Sequence, residues 1–155
     1  MDVFITDIAT FLPNQPVNND EIEQVLGLVD ALPSRTKKII LRNNGIKERY
    51  YASDPATGKS THTNAELVAH AVRTLCDQNI KYADIELLSC GTSTPDQILP
   101  GHGVMVHGEL TESKPMEVVT TSGICLAGVS ALKDAYMAVA SGCSQNGIAT
   151  SSELV

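Results

Sequence analysis

The chain has 155 residues, 43% of them apolar, and a net charge of −7, enough to bury the core of one domain, residues 1–155. The acidic balance and the 4% aromatic content argue against nucleic acid as a partner, since they supply neither a basic face nor a stacking platform. No apolar run approaches about 20 residues, so no membrane span is read. Residues 1–12 also lack the basic and then apolar pattern of a secretory leader.

Four cysteines without a paired spacing and without a C-x-x-C point to reduced thiols and a cytoplasmic setting. His102 and His107 are five apart, which misses the i, i+4 spacing of a helical metal pair. They read as surface or core histidines.

In chain order, residues 3–9 (V-F-I-T-D-I-A) alternate loosely before Pro13 and predict a strand. Asn19 is placed to cap a helix over 20–28, with Glu21 and Glu23 in its first turn. Ser34 is placed to cap a short helix over 35–42, with Ile39 and Ile40 inward and its basic residues outward. Asn43-Asn44-Gly45 signals a turn, 46–52 an extended surface segment, and 54–60 a polar loop. Residues 63–78 carry Leu67, Val68, Ala71, Val72 and Leu75 on one stripe, the pattern of an amphipathic helix. Residues 85–91 (I-E-L-L-S-C-G) read as a buried strand. The loop 92–100 holds Ile98 and Leu99 between two prolines, and a short helix is expected over 101–110. The chain closes with a strand-like run over 147–152. Buried strands separated by helices predict an α/β fold with a mainly parallel sheet.

Residues 116–142 (M-E-V-V-T-T-S-G-I-C-L-A-G-V-S-A-L-K-D-A-Y-M-A-V-A-S-G) carry the chemistry. Val118 and Val119 favour a strand, and 120–123 form a tight turn. Leu126, Val129, Leu132, Tyr136 and Val139 then recur at helical spacing up to a capping Gly142. Cys125 therefore stands at a strand-to-helix turn, where backbone N–H groups and the helix dipole favour a thiolate. Small Ser122, Gly123, Ala127 and Gly128 leave room for a carbonyl to reach the sulfur. On the residues alone, Cys125 is either this nucleophile or a small buried apolar side chain, the reading given to Cys76, Cys90 and Cys143.

Four segments in this order resemble the N-terminal half of the thiolase-fold condensing enzymes, and most of all β-ketoacyl-acyl-carrier-protein synthase III. They are I-T-D-I-A-T-F-L-P, L-R-N-N-G-I-K-E-R-Y, C-G-T-S-T-P-D-Q-I-L-P and T-T-S-G-I-C-L-A-G-V-S-A-L-K. The second is also similar to the branch that makes dialkylresorcinol- or aryl-polyene-type products. The resemblance implies a thiolase-like domain with helices on both faces of its sheet, apparently incomplete, with its C-terminal half absent. It implies that Cys125 takes an acyl group from a thioester and that a second thioester supplies the carbanion for C–C bond formation. No bound cofactor or metal is implied, the substrates being acyl thioesters of coenzyme A or of acyl carrier protein. A homodimer is implied for the full-length form.

The family's histidine and asparagine, which stabilise the thioester enolate, have no counterpart in residues 1–155. An arginine-threonine pair is replaced by Asn43-Asn44, and a tryptophan that flanks the cofactor is missing, so a carrier-protein thioester is as plausible as free coenzyme A. Arg42, Lys47 and Arg49 are either contacts for a phosphate or an acidic carrier protein, or a solvated basic face. Leu99 either reaches a neighbouring subunit's acyl pocket or anchors its loop in the core. Two other functions stand beside the condensing enzyme: a non-catalytic thiolase-fold subunit of a heteromeric ketosynthase, and a cysteine-dependent α/β-hydrolase with a G-x-C-x-A elbow.

Overall fold

The computed structural model describes residues 2–28, 30–78 and 80–154. Its elements in chain order are β1 (Val17–Asn18), α1 (Ile22–Leu26), α2 (Lys37–Asn44), β2 (Glu48–Arg49) and α3 (Asn64–Gln78). After these come β3 (Leu87–Gly91), α4 (His102–Glu109), β4 (Glu117–Thr121), α5 (Ala127–Ser141) and β5 (Gly147–Ser151). They fall into two compact units, Met1–Phe11 with Thr63–Val155, and Leu12–His62.

The first unit is built on a three-stranded sheet in the order β4-β3-β5, with both pairings parallel. Every residue of β3 is buried, as its central place between two strands and two helical layers requires. Leu88 and Cys90 face the cluster of Val68 and Val72 on α3 and Val106 on α4. On the opposite face, Gly91 abuts Ala127 and Gly147 approaches Ala135 of α5. Helices thus cover both faces, as predicted. The helix over 63–78 is also as predicted, and its start has a local cause. Thr63 Oγ1 accepts the Glu66 amide at 3.1 Å while Glu66 Oε2 accepts the Thr63 amide at 2.7 Å, a capping box.

Residues 3–9 do not form the predicted strand, and Phe4, Ile5 and Ile8 are exposed. A strand needs a neighbour to take its backbone hydrogen bonds, and an alternating pattern cannot supply one. In α5 the predicted apolar positions Leu126, Val129, Leu132 and Tyr136 are 49% to 64% exposed, while Ala127, Ala131 and Ala135 are the buried ones. Small side chains let a helix lie close to a sheet, so the alanine face won the inward position over the bulkier one. The stretch Ile124–Ser141 meets the length and composition of a membrane-crossing helix. Its alanine face, however, is packed on the sheet, and Lys133 and Asp134 lie in mid-helix.

In the second unit β1 and β2 form a two-residue antiparallel pair, a shorter extended element than the expected 46–52. Only Pro13 and Ala52 are buried among its described residues. Polar contacts do most of the holding. Asn14 Nδ2 donates to the Tyr51 carbonyl at 2.7 Å and to Thr61 Oγ1 at 2.9 Å. Asn19 is not a helix cap. Its Nδ2 donates to the Ile46 carbonyl at 3.1 Å, and it is Asn18 Oδ1 that accepts the Asp20 and Glu21 amides. The second helix starts at Lys37, so Ser34 does not cap it, and Ile39 and Ile40 point to solvent.

Candidate active site

In a parallel α/β sheet, ligands are taken at the C-terminal ends of the strands, and three loops gather there. The loop 92–100 leaves β3, the turn 122–126 leaves β4, and Ser152 and Glu153 leave β5. The β4 turn contains a 3₁₀ turn, Ile124–Leu126, and feeds directly into α5. Cys125 is an exposed free thiol on this turn, so the reading of a buried apolar cysteine does not hold for it. Ile124 has φ of 50°, a left-handed conformation that is an outlier for a β-branched residue and costs of order 1–3 kcal/mol. Such strain persists only where neighbours hold the turn.

The neighbours are visible at the start of α5. Thr121 Oγ1 donates to the Ala127 carbonyl at 2.8 Å. Gly91 lies so close that a Cβ there would sit 2.3 Å from the same carbonyl oxygen. A Cβ on Gly128 would sit 2.4 Å from Ser151 Oγ. The small Ala127 and Gly128 therefore let the helix press onto the sheet, whereas the sequence suggested that they leave room beside the sulfur. Ser122 and Gly123, both exposed, are the small residues that leave Cys125 accessible.

A polar network fixes the same edge. Asp96 caps α3 by accepting the Asn64 and Ala65 amides at 2.7 and 2.9 Å. Asn64 Nδ2 donates to Thr92 Oγ1 at 2.9 Å and to the Thr94 carbonyl at 2.7 Å. Glu153 accepts the Ser93 amide and the Thr94 hydroxyl, both at 2.9 Å. Burial raises the Glu153 pKa, but these hydrogen bonds outweigh it and hold the carboxyl below its ordinary range. His102 is fully buried at the start of α4, with Nε2 3.3 Å from Ser152 Oγ and no partner for Nδ1 among the described residues. Burial pushes its pKa down, while Asp96 and Glu153 pull the other way. None of Thr121, Asp96 or Glu153 was singled out from the sequence. Asp96 caps amides more than thirty positions earlier, so no local pattern announces it.

Leu99 and Ile98 are 83% and 87% exposed on the β3 loop, which excludes a core anchor for Leu99. Of the other cysteines, Cys90 is buried as expected, its thiol pushed up to about 11 by burial. Cys143 is exposed, just beyond the αL glycine that ends α5. In the second unit, Arg42 lines a groove of about 500 Å³ with Arg35, Lys37 and Lys38, facing Asp20 and Glu23. Lys37 is already paired with Glu23 at 3.1 Å, and the Ser34 amide with this lysine holds the Glu23 carboxyl below its ordinary range. Arg49 Nη1 donates to Asn19 Oδ1 at 2.7 Å, and Lys47 is exposed.

No protein-family model matches the chain. It is 29% identical over 138 residues to a β-ketoacyl-[acyl-carrier-protein] synthase III of Bordetella petrii, matching 89% of this chain and 40% of that protein. To the enzyme of the same name from Lactococcus lactis it is 27% identical over 151 residues, 97% of this chain and 42% of the relative. The crystal structure of β-ketoacyl-[acyl-carrier-protein] synthase III from Thermus thermophilus superposes with a TM-score of 0.73 at 21% identity, covering 96% of this chain and 42% of that one. The chain thus spans about two fifths of the length of the relatives it matches. These matches bear out the resemblance to β-ketoacyl synthase III and the fold, that of an N-terminal half of the thiolase-fold condensing enzymes.

Proposed function

We propose that this chain carries the nucleophile half of a β-ketoacyl synthase III-like acyltransferase, with Cys125 as the acylated residue. The observation that supports it is the place of Cys125: an exposed thiol on a strained turn, between the C-terminal end of the parallel strand β4 and the N-terminus of α5. The Cys125 sulfur attacks the carbonyl of an acyl thioester, the coenzyme A or carrier-protein thiol leaves, and an acyl-cysteine remains. Backbone N–H groups at the turn are the donors suited to the developing oxyanion. A malonyl-type thioester then loses carbon dioxide, its carbanion attacks the acyl-cysteine carbonyl, and the Cys125 sulfur is expelled as the C–C bond forms.

Arg35, Lys38 and Arg42 are the groove cations suited to a phosphate of coenzyme A or to an acidic carrier protein. Arg49, tied to Asn19, has the weaker claim. Leu99 and the uncovered apolar side of α5 fit a second copy, since exposed apolar patches mark interaction sites. Four free thiols suit a cytoplasmic setting. By itself the chain takes up an acyl group without condensing it, because the resemblance puts the enolate-stabilising histidine and asparagine outside residues 1–155.

The test is incubation with a radiolabelled acyl thioester, followed by mapping of the labelled peptide and chromatography of products. Label on Cys125, lost in Cys125→Ala, with no condensed product, is the expected result. No label on Cys125 overturns the proposal in favour of a non-catalytic subunit. Rapid release of free acid points instead to the hydrolase.

A further inference from the structure

The turn that carries Cys125 is closed at its neck by one side chain. Thr121 ends β4 and Ala127 begins α5, with residues 122–126, all exposed, between them. The Thr121 carbonyl accepts the Thr92 amide at 3.1 Å, which pins this end to the loop after β3. From that fixed point the Thr121 hydroxyl donates to the Ala127 carbonyl at 2.8 Å. The same carbonyl is backed by Gly91, where no side chain has room. Ala127 is buried, so the far end of the neck is fixed as well.

Within the closed turn, the Leu126 amide bonds the Gly123 carbonyl at 2.9 Å, and the Ala127 amide bonds the Ile124 carbonyl. Ile124 sits at φ of 50°, a conformation it leaves when nothing restrains it. The turn itself is exposed, and the hydrogen bonds that tie it to the fold lie at its neck.

We infer that Thr121 is the positioning residue of the turn: its hydroxyl clamps the start of α5 to the end of β4 and keeps the Cys125 sulfur in place for acyl transfer. The role in acyl transfer rests on the reading of Cys125 as the acylated nucleophile, whereas the clamp itself does not. Threonine can be replaced by valine here without orphaning the acceptor, because a first-turn carbonyl retains its intrahelical partner. Valine also keeps the β-branched shape that suits the end of a strand.

The experiment compares the wild-type chain with Thr121→Val and Thr121→Ser. The first readout is hydrogen exchange at the Leu126 and Ala127 amides, with the α3 amides as reference. The second is acylation of Cys125 by an acetyl thioester of N-acetylcysteamine. Thr121→Val is expected to speed exchange at the two turn amides by about 2–10-fold, the factor that one neutral hydrogen bond commands, and to leave α3 unchanged. Acylation is expected to slow by a similar factor, and Thr121→Ser to restore both. Unchanged exchange at the turn overturns the clamp. Faster exchange in α3 as well reduces Thr121 to a general stabiliser and overturns it too. Faster turn exchange with undiminished acylation overturns the positioning role. A wild-type chain that is never acylated, with faster turn exchange in Thr121→Val, refutes the nucleophile reading and upholds the clamp.

Discussion

Gly91→Ala tests how closely the helix behind Cys125 is packed on the sheet. An alanine Cβ at this position would lie 2.3 Å from the Ala127 carbonyl oxygen, 2.4 Å from its carbon and 2.7 Å from the Gly128 nitrogen. All three are backbone atoms, so no rotamer change relieves the clash. An ordinary carbon–oxygen contact is about 3.3 Å, and the start of α5 must therefore retreat by roughly 1 Å. Forcing extra volume into a packed site costs about 1–3 kcal/mol. A loss of about 2 kcal/mol at a urea slope of about 2 kcal/mol per molar lowers the unfolding midpoint by about 1 M. A displacement of about 1 Å at a reacting group can also cost about 10²-fold in rate, so Cys125 acylation should fall further than stability alone suggests. Gly108→Ala is the control. It lies in α4 with nothing within 4 Å of an added Cβ, and alanine should there stabilise by about 0.5–1 kcal/mol. Urea unfolding followed by circular dichroism measures both variants. A Gly91→Ala midpoint equal to or above wild type would refute the close packing on which the placement of Cys125 rests.

Two further outcomes are expected. His102 has its pKa pushed down by burial in the fold, so the unfolded chain binds its proton first. The stability this ring contributes is whole above about pH 6.5 and is lost as pH falls below that, with a slope of at most about 1.4 kcal/mol per pH unit. Melting curves between pH 7.5 and 5 should therefore decline less steeply for His102→Asn than for wild type, and parallel profiles would show that the buried ring plays no part. Leu99→Asp changes a side chain that is 83% exposed, so the fold should survive. If the loop meets a second copy, association should weaken because an unpaired charge would be buried. Sedimentation of the two proteins decides the point, and an unaltered dimer sinks the placement of Leu99.

What could be read in the sequence is what local chemistry specifies. The capping box of Thr63 and Glu66 lies within one helical turn, and the stripe that follows it needs only its own periodicity, so α3 was legible. The β-branched runs marked β4, and the turn chemistry after it placed Cys125 correctly between strand and helix. What could not be read depends on residues distant in the chain. Asp96 belongs to the α3 cap across a long loop. Residues 3–9 have the alternation of a strand, yet no strand pairs with them among the described residues.

The case of α5 is the most instructive, because its periodicity was right while its orientation was not. Two stripes recur at the same spacing on this helix, one of alanines and one of larger apolar residues, and hydropathy alone favours burying the larger. Close approach to a sheet favours the smaller, and Gly91 and Gly147 supply the matching hollow on the β side. The sheet therefore took Ala127, Ala131 and Ala135, and Leu126, Val129, Leu132 and Tyr136 were left outward. Uncovered apolar side chains in a row are costly in water, so the stripe that the sequence suggested for the core is better explained as a surface kept for another partner. Its N-terminal end is Leu126, next to Cys125, so whatever covers the stripe will border the thiol proposed as the nucleophile.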